Sequence, residues 1–183
     1  NAELATLATT FGQNVLKDEN EGVIYLDKES DLAGLPQGVR DGMAQGAEGR
    51  GQKGKWAIAN TRSSIEPFLT YSDNRALREK AWRMFVNRGD NGGATDNNAT
   101  IAQILQLRAE RAKLLGFPTH AHWRLENTMA KTPERAMELM EAVWTPAVVR
   151  VHEEVADMQK IADADKEGIK IEPWDYRYYA EKV

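Results

Sequence analysis

Thr132-Pro133-Glu134-Arg135-Ala136-Met137-Glu138-Leu139-Met140 opens the longest helical stretch in the chain and decides its fold class. Thr132 suits an N-cap, and Pro133 stands at the first helical position, where its missing N–H leaves no intrahelical bond unmade. The pattern stays helical towards Ala164, with Pro146 inside it and expected to kink it.

The same period recurs on both sides of that stretch. Upstream, Ile101, Leu105, Ala112 and Leu115 align in a helix over about residues 100–115, which Gly116, Phe117 and Pro118 stop. A short element follows around His120 to Thr128. Residues 88–99, rich in Gly, Asp and Asn, read as the clearest loop. Before it, Ser72 is expected to cap a helix carrying Leu77, Ala81, Met84 and Phe85, which Gly89 can end. Val39, Met43 and Ala47 mark another helix, and Leu4, Ala8, Phe11 and Val15 form a stripe from the first residues. Downstream, Glu172-Pro173 begins a last helix. Tyr176, Tyr179, Ala180 and Val183 share one of its faces, while Trp174 and Tyr178 lie on another, so burial from both sides is expected. Only Val23-Ile24-Tyr25-Leu26 and Lys55-Trp56-Ala57-Ile58-Ala59-Asn60 read as strands, able to pair as a small ribbon. The predicted fold class is mainly α.

Composition narrows the function classes. The 183 residues are 42% hydrophobic and 28% charged, a globular balance, and no apolar run approaches the ~20 residues of a membrane helix. A net charge of -4 argues against a nucleic-acid partner, which calls for a basic stripe. With no cysteine there is no disulfide, thiol nucleophile or thiolate ligand, and cytoplasm is the expected compartment.

Several short motifs fail on their context. Gly49-x-Gly51-x-x-Gly54 matches a dinucleotide fingerprint, but a helix precedes it and a strand follows, the reverse of what phosphate binding at a helix N-terminus needs. Asp163-x-Asp165-x-Glu167-Gly168 starts like a calcium loop, yet the twelfth position is Trp174 rather than a bidentate Glu. Arg88-Gly89-Asp90 reads as a helix end, and the Asn98-Ala99-Thr100 sequon matters only in a secreted protein. His152-Glu153-Glu154-Val155-Ala156 begins as the zinc-binding H-E-x-x-H but offers Ala156 where the second imidazole must stand. His120 and His122 would point about 200° apart on a helix. No pair among the three histidines has local metal-binding spacing, so neither catalytic nor metal-ligating residues are assigned to this chain.

Three blocks, in order, carry a resemblance. They are Ser64-Ile65-Glu66-Pro67-Phe68-Leu69-Thr70-Tyr71-Ser72-Asp73-Asn74-Arg75-Ala76-Leu77-Arg78-Glu79-Lys80-Ala81, then Leu114-Leu115-Gly116-Phe117-Pro118-Thr119-His120-Ala121-His122 continuing to Met129-Ala130-Lys131-Thr132-Pro133, then Pro173-Trp174-Asp175-Tyr176-Arg177-Tyr178-Tyr179. Together they resemble the thimet-oligopeptidase family of zinc peptidases. Leu32-Ala33-Gly34-Leu35-Pro36 looks like its bacterial peptidyl-dipeptidase (dipeptidyl carboxypeptidase) branch. The family's H-E-x-x-H helix and its third ligand, a downstream Glu, are absent from these residues; in the family they lie C-terminal to the third block.

The resemblance implies a two-lobed helical zinc enzyme whose channel admits short peptides, with release of C-terminal dipeptides in the peptidyl-dipeptidase branch. Residues 1–183 are then expected to be a single helical fragment of a larger catalytic domain, truncated at both ends and inactive alone. It would supply lobe and channel-wall helices, with zinc bound elsewhere in the full-length protein and the missing C-terminal part of the same chain as its partner. Trp174, Asp175, Arg177, Tyr178 and Tyr179 are candidates for packing or the channel wall, with packing preferred, as it is for Trp82, Trp123 and Trp144. The alternative is a standalone helical binding or regulatory module that docks through its aromatic C-terminal helix.

Overall fold

A computed structural model describes residues 1–166 and 168–183. It is mainly α, with eight α-helices, one 3₁₀ turn and a two-stranded antiparallel ribbon among the described residues. Two compact units are formed, one from residues 14–96 and 155–183 and the other from residues 1–13 and 97–154. Two long helices, α1 (Ala2–Glu21) and α7 (Pro133–Ala164), contribute residues to both.

In the unit of residues 14–96 and 155–183, β1 (Val23–Leu26) pairs with β2 (Trp56–Ala59) in the register Ile24↔Ile58 and Leu26↔Trp56. Two strands alone are marginal in water. This pair persists because Ile24, Leu26 and Ile58 are buried in one core with Leu32, Leu35, Met43, Ile65, Phe68, Leu69 and Ala81. Met43 comes from α2 (Gln37–Glu48), while Ile65, Phe68 and Leu69 come from α3 (Arg62–Tyr71) and Ala81 from α4 (Arg75–Val86). Burying side chains such as Phe68 and Ile65 stabilises the unit by about 1.5–3 kcal/mol each. Around Met158 and Ala162 of α7 a second core gathers Ile161, Ile169, Ile171 and the tyrosines of α8 (Tyr176–Ala180).

Several sequence expectations change here. α3 does not emerge from the periodicity, because Pro67 sits inside it and removes a backbone donor. Burial of Ile65, Phe68 and Leu69 on one face outweighs that loss. Ser72 is not the N-cap of α4. It is buried at the C-terminal end of α3, and Asn74 caps α4 by accepting from the Leu77 N–H at 3.2 Å. The last helix is a short element of 5 residues that ends at Ala180; Tyr179 is buried in it, and Val183 lies beyond it, exposed. The glycine loop lies between α2 and β2, and the Arg88-Gly89 corner is tied to α1 by Arg88 to Glu19 and by the Gly89 N–H to Asp18. Glu167 of the calcium-like motif lies outside the described residues.

The other unit holds α5 (Asn98–Leu114), α6 (His120–Leu125), most of α7 and the start of α1. The Thr132 hydroxyl accepts from the Arg135 N–H at 3.3 Å, and α7 then runs 32 residues through Pro146. Little of this unit is fully buried: Ala112 and Asn97 are the buried residues among those described. Trp144 departs from the expected packing and is 69% exposed, together with Met137, Leu139, Met140 and Val143. An apolar helix face becomes core only when another surface covers it, and here α7 keeps its face open.

Candidate functional site

Trp174, Asp175, Arg177, Tyr178 and Tyr179 fall on the turn into α8 and on α8 itself, within one unit. Asp175 is the organising group. Its side chain is fully buried, and Arg75 grips it with Nε at 3.1 Å from both oxygens and Nη2 at 2.8 Å from Oδ2. Arg78 adds Nη2 at 2.9 Å from Oδ1, and the Glu172 N–H donates to Oδ2 at 3.2 Å. Removing such a carboxylate from water is costly, and only several charge-assisted bonds at once offset it.

Arg78, itself 1% exposed, donates through Nη1 to the Ser72 carbonyl at 2.7 Å, and its Cζ lies 4.1 Å from the centroid of the Tyr178 ring. The Tyr178 hydroxyl donates to Asp73 Oδ1 at 2.8 Å. Burial holds this phenol above its ordinary value, with a hydrogen bond to Lys182 acting in the opposite direction. The hydrogen bond to Asp175 holds the Arg75 guanidinium above its own ordinary value. Trp174 meets Trp82 edge-on at 5.7 Å and lies against Arg83, with Cζ 5.0 Å from the ring centroid. Arg177 pairs with Glu66 at 2.7 Å, tying α8 to α3.

Chemically this is a clasp. The buried carboxylate is held by two guanidiniums and a backbone N–H, and the Tyr178 phenol, packed on Arg78, donates to Asp73. What the arrangement accomplishes is to fix the turn before α8 against the N-terminal end of α4. Sequence reasoning named the α8 side of this cluster and missed Arg75 and Arg78. Arg78 and Ala81, three apart and both buried, share the helix face that enters the core, and that spacing was the available signal.

The histidines do not assemble. His120 packs on Trp123 with centroids 5.5 Å apart, His122 Nδ1 lies 2.8 Å from the Thr119 hydroxyl, and His152 is exposed on α7. Among the described residues, no group of three or more His, Cys, Asp and Glu side chains is placed to hold a metal ion.

The chain belongs to peptidase family M3, whose profile matches residues 68–183 and so takes in Arg75, Arg78 and the whole segment 174–179. The resemblance read from the three sequence blocks points to the same family. Over 183 residues the chain is 34% identical to the dipeptidyl carboxypeptidase of Escherichia coli (strain K12), which covers 100% of this chain and 27% of that protein. It is 32% identical over 185 residues to oligopeptidase A of Haemophilus influenzae, covering 99% of this chain and 27% of that protein. A shorter match, 39% over 80 residues, links 43% of the chain to the mitochondrial intermediate peptidase of Coccidioides immitis. The chain thus spans about a quarter of the length of the first two relatives.

Proposed function

We propose that the whole protein is a zinc metallopeptidase that hydrolyses short oligopeptides and releases dipeptides from their C-termini. The observation that carries this reading is the similarity to a dipeptidyl carboxypeptidase over the full 183 residues, within a matched peptidase family. The present residues serve as lobe and channel-wall helices, and zinc is bound by residues outside them. Trp174, Asp175, Arg177, Tyr178 and Tyr179 act in packing, through the clasp that fixes α8. The open apolar face of α7 packs against further polypeptide of the same protein, a role supported by relatives nearly four times as long.

Cytoplasm is the proposed compartment. Among the described residues no helix is long and apolar enough to cross a membrane, and one similar plant protein is named a cytosolic oligopeptidase A, although another is organellar.

The test uses the full-length protein. Purified enzyme is incubated with N-blocked tetrapeptides, and the products are separated by mass. Release of the C-terminal dipeptide, loss of activity on chelation and recovery with zinc are expected. Cleavage only at interior bonds of longer peptides would move the reading to an oligopeptidase, and activity indifferent to chelation would remove zinc from it. Residues 1–183 alone are expected to cleave nothing.

A further inference from the structure

Arg111 on α5, and His120, Trp123 and Arg124 on α6, converge within the unit of residues 1–13 and 97–154. The Arg111 Cζ lies 4.4 Å from the Trp123 ring centroid, the Arg124 Cζ 5.4 Å from it, and the imidazole of His120 is 5.5 Å away. The ion pairs formed by the described arginines engage Arg62, Arg75, Arg78, Arg83, Arg88, Arg150 and Arg177. Arg111 and Arg124 have no carboxylate partner among the described residues. Arg111 donates only to Asn1 Oδ1, at 3.1 Å.

Two further atoms mark an unmet need. Arg111 Nε and His120 Nδ1 are both buried without a hydrogen-bond partner, and they are two of five such side-chain atoms among the described residues. Arg111 and Lys113 in the last turn of α5 complement the helix dipole, which accounts for charge at that position. It does not account for a buried Nε left without an acceptor. Buried donors of this kind are normally satisfied. Burial, and then the charges of Arg108, Arg111 and Arg124, hold the His120 imidazole below its ordinary value.

We propose that the α5–α6 junction binds a carboxylate group, held by Arg111 and Arg124 where both meet Trp123, beside His120. A planar guanidinium fork matches a carboxylate in two bonds. Arg111 and Trp123 also line an open cavity of about 670 Å³ whose walls include Leu4 and Leu107, so an acid with an apolar body fits it. Glu3 and Glu110 line the same cavity and disfavour a doubly charged phosphate. The carboxylate has two possible sources, a free peptide or an Asp or Glu of polypeptide outside these residues. The site itself does not depend on the peptidase reading.

The experiment follows the His120 ring by NMR in full-length protein with isotope-labelled histidine, the signal being assigned with His120→Gln. Acetate, then an N-acetyl dipeptide, then inorganic phosphate are titrated in. For a free-peptide site, acetate and the dipeptide shift the signal saturably, and Arg111→Gln weakens both by about tenfold or more. For an internal carboxylate, no added acid shifts the signal, and Arg111→Lys, which keeps the charge but not the guanidinium fork, lowers the His120 titration midpoint because the bound anion is loosened. The proposal is overturned if acetate has no effect and Arg111→Lys leaves the midpoint unchanged, since no anion then depends on the guanidinium fork. Phosphate binding more tightly than acetate also overturns the assigned ligand class. Arg124→Gln and Arg124→Lys, at an exposed position, repeat the two arms should the Arg111 variants not fold.

Discussion

The Asp175 carboxylate lies 2.9 Å from Nη2 of Arg78, although the two residues are 97 positions apart in the chain. Both are buried, so the pair joins the N-terminal end of α4 to the turn before α8 through a bond that water does not screen.

Breaking that pair from one side leaves a charge uncompensated in the interior. Asp175→Asn is expected to destabilise the unit by about 3–5 kcal/mol, read from chemical denaturation. Joint replacement, Asp175→Leu with Arg78→Met, is expected to cost less than the sum of the single changes. Additive losses would mean that the two groups do not act as a pair.

Gly34 is held at φ +81 where an added Cβ would lie 2.2 Å from the Tyr71 carbonyl oxygen and 2.7 Å from Asp73 Oδ1. Gly34→Ala therefore combines left-handed strain with a backbone clash and is expected to cost more than the ~1–2 kcal/mol of strain alone. Gly54 shares φ +81 but has open space around it, so Gly54→Ala should show the strain only. Thermal melts of the two variants compare them directly, and equal shifts would rule out close packing at Gly34.

Burial, opposed by the hydrogen bond to Lys182, raises the Tyr178 phenol above its ordinary 10.0. At alkaline pH the unfolded chain releases this proton before the folded chain does. The associated stability is thus fully present below pH 10 and is lost as pH rises through the folded value. Tyr178→Phe is expected to flatten the alkaline limb of a stability-versus-pH curve relative to the parent chain. An unchanged limb would detach Tyr178 from it.

Met140 and Trp144 are 54% and 69% exposed on α7. In the 183-residue chain, Met140→Glu with Trp144→Lys is expected to change stability by less than about 0.5 kcal/mol each and to reduce self-association, measured by sedimentation. In the full-length protein the same pair should destabilise strongly, because the proposed packing covers that face. Equal tolerance in both settings would argue that α7 stays open.

The sequence by itself determined the helical class, the ribbon of Val23–Leu26 with Trp56–Ala59, the Thr132 cap and the α5 stop at Gly116, because each follows from local periodicity or from one residue's backbone preference. The family was legible too, from three ordered blocks rather than from any catalytic motif. Tertiary structure alone decided three other matters. α3 forms across Pro67 because burial on one face outweighs a lost donor. Arg75 and Arg78 are committed to Asp175 because folding brings α4 to a turn 100 and 97 residues away. Trp144 is exposed within these 183 residues because whether an apolar stripe becomes core depends on what lies against it, and no periodicity encodes that.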